Sequence, residues 1–453
     1  MGKKVLIAGG GAGGMTAATQ IKRQNPDIEV TLFESGSYVS WAGCPTPYYI
    51  AGLVGEMSVV HFDAEYFKND RGIDVYTHTP VELIDFKRKI VSVNGEKIKG
   101  EFPYDQLILS LGAKAVVPPI PGLRSDDGKL NEGIFILRDA ENAFNIKEYI
   151  DKRKVKNALI IGSGFIGLEM AEALTHLGIS VTVVEMADGI LPMLGTDEQR
   201  KKILKSLEAN KVALRLGTTV KEIVCCPDGV EAAILSDGTS VPMEFLLVSI
   251  GVRPNLSLLE KSGFHAPDGK LIVNENLETG IPDVYALGDM VWTRNLLTGK
   301  PVYAPFGDVA DKQGLALGGI IAGSPLQFRG VIGSAATSIF EWQIAVTGLN
   351  YQAALDNGFD AEKVNVKSLH RIMGFEDTVP GLVNVVYEKN THRVLGASIV
   401  SQSAAAQFID QFAIAITWGL TLDQLFDVDY AYSPKTSVVW NPILAAYRKA
   451  LNR

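Results

Sequence analysis

Cysteine is scarce in this sequence: three in 453 positions, at 44, 225 and 226. So few thiols exclude a disulfide-stapled secreted fold. Long apolar runs are missing as well. None reaches the roughly 18 residues that cross a bilayer without meeting a charge or a glycine cluster, which argues against an integral membrane protein. Positive charge is in deficit, with 43 Lys and Arg against 51 Asp and Glu and a net charge of −8, so non-specific nucleic-acid binding is disfavoured. Proline, at 20 residues, is outnumbered by 45 glycines. What is present is ordinary globular composition, 47% hydrophobic and 21% charged, which excludes a disordered chain. At about 150 residues per domain the length suggests three domains. The glycine excess then has to sit in particular turns.

The first such turn opens the chain. Lys3-Lys4 before an apolar stretch has the look of a short signal peptide, but VLIAGGGAGG is half glycine and a polar segment, Asn25-Pro26-Asp27, follows directly. The pattern fits a buried strand over 5–8, a glycine turn, a helix to about Arg23, and a strand over 29–33 that ends at Glu34. Gly9, Gly11 and Gly14 keep the GxGxxG spacing, and Glu34 lies 20 positions past the last of them. Each part has a chemical reason. Glycines let the backbone approach a pyrophosphate, the helix N-terminus holds negative charge, and the acid accepts ribose hydroxyls. The mature protein is expected to begin near residue 1 and to be cytoplasmic.

The design returns 153 residues later. A strand over 158–161 leads into Gly162-Ser163-Gly164-Phe165-Ile166-Gly167, a helix to about His176, and a strand over 181–184 ending at Glu185. A carboxylate at that strand end favours the 2′-hydroxyl of NADH and repels the 2′-phosphate of NADPH. Two dinucleotide sites suggest a flavin in one and a nicotinamide in the other. The strand ending near Gly112 and the proline-rich 116–122 read as a crossover out of one domain, and 248–255 as the return. Later, the stretch from Thr279 reads as a strand that delivers Gly288-Asp289 to a ribityl or ribose hydroxyl. The expected fold class is therefore α/β: two Rossmann-like dinucleotide-binding domains plus a C-terminal α+β unit. An FAD domain is expected over 1–118 and 252–328, an NAD domain over 119–251, and a third domain over 329–453.

The two glycine helices, the crossover at Gly112 and the ALGD at 286–289 together resemble the FAD-dependent pyridine nucleotide–disulfide oxidoreductases. The resemblance covers essentially the whole chain. It implies that FAD is held by Gly9, Gly11, Ala12, Gly14, Glu34, Ser35, Val81, Ser110, Gly112 and Asp289. NADH would be held by Gly162, Gly164, Phe165, Ile166, Gly167, Glu169, Glu185 and Gly251, with Phe165 a movable cover and Glu169 facing the nicotinamide. The C-terminal domain would make a homodimer. Strands are read over 339–346, 382–387 and 394–400, with a helix over 404–418.

Cys44 is the candidate redox group, in Ser40-Trp-Ala-Gly-Cys44-Pro-Thr-Pro-Tyr-Tyr49-Ile50. A following helix would stabilise its thiolate. Dithiol members carry a second cysteine five positions on; Tyr49 stands there, so Cys44 works alone, through a mixed disulfide, a persulfide or a sulfenic acid. Cys225-Cys226 reads as a structural pair. No histidine follows residue 392, so the His–Glu pair of dithiol reductases is missing. Ala12 stands where single-cysteine peroxidases and oxidases carry a loop histidine. What remains resembles the coenzyme A-disulfide reductases and related NADH-dependent persulfide, polysulfide or sulfur reductases. Ser40, the stretch Pro47-Tyr48-Tyr49-Ile50, and Tyr432-Ser433-Pro434 ahead of Trp440-Asn441-Pro442 carry that resemblance. Departures are Pro45-Thr46 after the cysteine and Met373-Gly374-Phe375-Glu376-Asp377 in place of a tyrosine-rich turn. Tyr432, reaching the other subunit's sulfur, is the expected proton donor; Ser40, Lys22, Arg23 and Lys312 are expected to hold a coenzyme A substrate. No metal is called for. No rhodanese-like extension is expected after residue 453, and a sulfur-transfer partner is then expected to come from another chain. Two other classes stay open: an NADH oxidase or peroxidase using a Cys44 sulfenic acid, and an electron-transfer reductase for a small redox protein.

Overall fold

The computed structural model of the chain describes residues 2–375 and 378–451. Strand Lys4–Ala8 is apolar on both faces from Val5 onward and buried on both, which places it inside a covered parallel sheet. That sheet has five parallel strands in the order Val284–Ala286, Gln106–Leu109, Lys4–Ala8, Glu29–Phe33, Asp74–Tyr76. Helix Ala12–Gln24 leaves the carboxyl end of the central strand and packs on helix Gly307–Ile321. Their approach is close: a Cβ on Gly314 would lie 2.5 Å from the Gly13 carbonyl oxygen.

The second parallel sheet repeats the arrangement, in the order Ala213–Arg215, Ser180–Val184, Asn157–Ile161, Phe245–Val248, Ile134–Phe135. Helix Phe165–His176 leaves its central strand. In both sheets the strand order reverses at the central strand, so a crevice opens at its carboxyl end, where such sheets bind ligands. The two crossovers pair antiparallel, Ala113–Ala115 against Val252–Pro254, with Val252 opposite Ala115.

The C-terminal unit is an antiparallel sheet ordered Ala335–Ile339, Trp342–Gly348, Val394–Ser401, Gly381–Glu388, Ala361–Ser368. Helices Ala405–Trp418 and Pro442–Ala450 cover it through Ile409, Phe412, Ile443 and Tyr447. The fold is thus mixed α/β, with two parallel sheets of the dinucleotide-binding type and an α+β unit. No helix among the described residues is long and apolar enough to cross a membrane.

Two sequence expectations change. The run over 339–346 is a hairpin rather than one strand: Phe340 turns with φ 51° between Ile339 and Trp342. Of the stretch from Thr279, only Val284–Ala286 is strand; Thr279 folds back and donates its hydroxyl to the Val284 carbonyl, 2.8 Å away. Cys225-Cys226 ends the strand Val220–Cys226, and the exposed Cys225 donates its thiol to the Gly122 carbonyl at 3.2 Å. Glu376 and Asp377 of the altered turn lie outside the described residues.

Candidate active site

The glycines of the first loop divide the labour. A Cβ on Gly9 would sit 2.1 Å from the Ser110 carbonyl oxygen, and one on Gly14 would sit 2.1 Å from that of Gly9. Those two glycines let helix, strand and the Ser110 turn touch. A Cβ on Gly11 would meet nothing within 4 Å. The middle glycine therefore faces open space at the start of a 13-residue helix, where backbone N–H groups lack helical partners. Ala12 is the first residue of that helix. Glu34 takes the Gly10 N–H on Oε2 at 2.6 Å and the Gly36 N–H on Oε1 at 2.7 Å, with the Ser35 hydroxyl at 3.1 Å. Carboxylate oxygens have further lone pairs, so ribose hydroxyls can still be bound. Val81 begins the strand Val81–Asp85, two residues after Thr79, whose N–H donates to the Glu34 carbonyl. Asp289 lies past the left-handed Gly288 and is paired with Arg138, while Arg138 Nε donates to the Ala113 carbonyl near Gly112 at 3.2 Å. Arg138 was not found from sequence. Its partner lies 151 residues away, and no motif spacing links the two. An open cradle with a cation and a carboxylate with spare lone pairs at its edges fits the diphosphate, ribityl and ribose groups of FAD.

The second loop repeats the logic. Cβ atoms on Gly162 and Gly167 would lie 2.3 Å and 2.2 Å from backbone carbonyl oxygens, and one on Gly164 would meet nothing within 4 Å. Glu185 Oε2 accepts the Ser163 N–H at 2.9 Å and hydroxyl at 2.8 Å, and Oε1 accepts the Ala187 N–H at 2.9 Å. Burial pushes this carboxyl up, but those donors outweigh it and hold it below its ordinary range. It stands ionised at the strand end. Phe165 and the exposed Ile166 open the helix, and Gly251 sits in the return crossover with open space around it.

Cys44 is held by the first loop. Ser40, at φ 53°, donates its N–H to the Gly10 carbonyl at 2.8 Å. Thr46 closes the next turn through its hydroxyl on the Gly43 carbonyl at 2.6 Å. Helix Thr46–Ile50 then packs on helix Phe165–His176, so both glycine loops converge near one sulfur. The expectation of a stabilised thiolate fails in the chain itself. The Cys44 side chain reaches solvent, yet burial of its inner side, then the charges of Glu169 and Asp308, push the thiol up from its ordinary value. A helix of five residues is too short to oppose that. Glu169 is itself pushed up by burial, against a hydrogen bond from Thr337.

A groove of about 290 Å³ lies beside this turn, lined by Ser40, Arg23, Arg71, Thr16, Phe62, Tyr66 and Leu315 among others. Two expected substrate residues, Ser40 and Arg23, are brought together there. Lys22 is not. Its ammonium caps the turn after the helix, donating to the carbonyls of Pro26 at 2.5 Å and Ile28 at 3.0 Å. Arg71, which sequence reasoning missed, is stacked on Tyr66 and bonded to its hydroxyl at 2.7 Å. Lys312 is exposed and pairs with Asp308 at 3.5 Å. Tyr432 is exposed on the C-terminal loop, near the hydrogen bond from Ile372 N–H to the Pro434 carbonyl.

Two dinucleotide cradles meeting at one thiol define a flavin- and nicotinamide-dependent oxidoreductase, and the chain belongs to the pyridine nucleotide-disulphide oxidoreductase family. Residues 3–313 match that family and residues 334–442 match its dimerisation domain. Within it, the chain is 33% identical over 451 residues to the NAD(P)H coenzyme A polysulfide/persulfide reductase of Pyrococcus horikoshii, spanning 99% of this chain and 98% of that one. It is 31% identical over 452 residues to an NADH oxidase of Methanocaldococcus jannaschii, spanning 99% of each. The solved NAD-dependent persulfide reductase from A. fulgidus superposes with a TM-score of 0.92 at 36% identity, covering 99% of this chain and 83% of that one.

Proposed function

We propose that the chain is an NADH-dependent, FAD-containing reductase of coenzyme A disulfide, coenzyme A persulfide or polysulfide. It acts through Cys44 alone, as a homodimer. Residues 1–118 with 252–328 form its FAD domain, 119–251 its NAD domain and 329–453 its dimerisation domain. The observation that carries this reading is the groove at Ser40, four residues before Cys44, whose lining combines Arg23 and Arg71 with Phe62, Tyr66 and Leu315. Two guanidiniums suit the phosphates of coenzyme A, and the apolar lining suits its pantetheine arm. The persulfide reductases among its relatives support the same assignment.

The chemistry that a bound flavin supplies is two-electron transfer from NADH to sulfur. The protein's residues do the rest. Cys44 thiolate attacks the S–S bond of coenzyme A disulfide, one coenzyme A leaves as thiolate, and Cys44 keeps the other in a mixed disulfide. Tyr432 of the partner subunit protonates the leaving thiolate. Two electrons then split the mixed disulfide and return Cys44 and the second coenzyme A as thiolates. Glu185 keeps the pyridine nucleotide to NADH by repelling a 2′-phosphate.

The test is steady-state turnover with NADH against coenzyme A disulfide, coenzyme A persulfide, polysulfide, peroxide and oxygen. Coenzyme A substrates or polysulfide should give the highest kcat/KM. Preferred turnover of oxygen or peroxide would replace this reading with the oxidase one that the M. jannaschii relative raises.

A further inference from the structure

Helix Phe165–His176 carries two glutamates one turn apart, and the C-terminal sheet grips both. Thr337, on strand Ala335–Ile339, donates its hydroxyl to Glu169 Oε1. Phe340, in the turn that ends this strand, donates its N–H to Glu172 Oε2 at 2.8 Å. Phe340 takes φ 51° to do so, a left-handed conformation that an aromatic residue rarely adopts. Glu169 lies two residues past the last glycine of the 162–167 loop and its charge reaches Cys44. It is therefore linked to both the nucleotide loop, one turn away on the same helix, and the redox sulfur, which feels its charge. A partly buried carboxylate there has two states, and the hydroxyl that faces it biases the choice.

We infer that Thr337 is a positioning residue for the first half-reaction: from the C-terminal unit, its hydroxyl orients the Glu169 carboxylate where the nicotinamide meets the flavin. The groups facing Glu169 are few. Glu172 on its own helix opposes ionisation, as burial does, while Cys44 and Tyr48 from helix Thr46–Ile50 and its preceding turn share its field. Among these, the Thr337 hydroxyl is the one group that favours the charged form. The C-terminal unit thus enters the chemistry twice: through Tyr432 in the proposed second half-reaction, and through Thr337 in the first. The inference rests on the reading of 162–167 as the NADH loop, and it is independent of which sulfur compound is the acceptor.

The experiment is anaerobic stopped-flow reduction of the bound flavin by NADH across pH, with no acceptor present. In the wild-type holoenzyme the rate should show an inflection that Glu169→Gln removes. Thr337→Val, which keeps shape and loses the hydroxyl, should move that inflection up by about one to two pH units, the scale of a hydrogen bond to a charged group. Thr337→Ser should restore it, and flavin content should match the wild type in all variants. An inflection that stays in place in Thr337→Val, or that Thr337→Ser fails to restore, overturns the inference. So does its persistence in Glu169→Gln. A failure of the sulfur assays with this pH behaviour intact would instead refute the proposed acceptor.

Discussion

The two roles assigned to the glycines of the second loop separate under mutation. Gly164 has φ −71° and ψ −177°, a conformation alanine adopts freely, and a Cβ there meets nothing within 4 Å. The fold should lose only the difference between glycine and alanine as a helix N-cap, about 1 kcal/mol. Gly167 is different. Its Cβ would stand 2.2 Å from the Gly162 carbonyl oxygen, more than 1 Å inside the roughly 3.5 Å of a relaxed contact, and both partners are backbone. Strand and helix must separate, at a cost of about 1–3 kcal/mol. At about 2–4 °C per kcal/mol for a domain of this size, Gly167→Ala should lower Tm by several degrees and Gly164→Ala by a few degrees at most. The order reverses for NADH. The methyl of Gly164→Ala occupies the space into which the pyrophosphate must come, so KM for NADH should rise at least tenfold, about 1.4 kcal/mol. Differential scanning fluorimetry and steady-state kinetics on the FAD-loaded variants read both quantities. An unchanged KM in Gly164→Ala, or an unchanged Tm in Gly167→Ala, would refute the division.

Other expectations are briefer. Glu185, held ionised by its three donors, should give a kcat/KM for NADH above that for NADPH, and Glu185→Ala should narrow the ratio; a native preference for NADPH would show that the carboxylate does not face the 2′ position. Arg23→Ala and Arg71→Ala should each raise KM for coenzyme A substrates about tenfold and leave polysulfide unaffected, whereas Lys22→Ala should lower Tm without changing either KM, because its ammonium serves carbonyls. The Cys44 thiol is pushed up, so its thiolate appears only as pH rises past the ordinary cysteine range. In flavin-free protein with Cys225 and Cys226 changed to serine, alkylation by iodoacetamide should therefore accelerate with a midpoint above 9, the ordinary value; a midpoint below it would show that burial and the charges of Glu169 and Asp308 do not raise the thiol.

Much of the fold could be read from local pattern. Lys4–Ala8, Glu29–Phe33, Asn157–Ile161 and Ser180–Val184 are apolar runs bounded by glycine or an acid, and their predicted limits fall within one residue of the observed ones. The pattern failed where a turn carried no turn residue. Ile339-Phe340-Glu341-Trp342 has no glycine, proline or asparagine, so the hairpin was hidden inside an apolar stretch. Lys22 shows the same limit in another form: a lysine beside Arg23 at a helix end reads as a phosphate binder, and only the path of residues 25–28 reveals carbonyls that claim it first. Arg138, Arg71 and Thr337 were invisible for a related reason. Each matters through a partner far off in the chain or through a groove whose other walls come from distant segments. The expected thiolate failed because the helix after Cys44 could be foreseen, but not its five-residue length or the carboxylates that surround it.

The central claim is that one thiol carries the second half of the reaction. Cys44→Ser in the FAD-loaded enzyme tests it, with anaerobic flavin reduction by NADH and turnover of coenzyme A disulfide and polysulfide measured on the same preparation. Flavin reduction should remain near the wild-type rate while turnover falls by at least about a thousandfold, since the covalent route is lost with the sulfur. Turnover that survives at the wild-type rate would contradict the account and remove Cys44 from the mechanism.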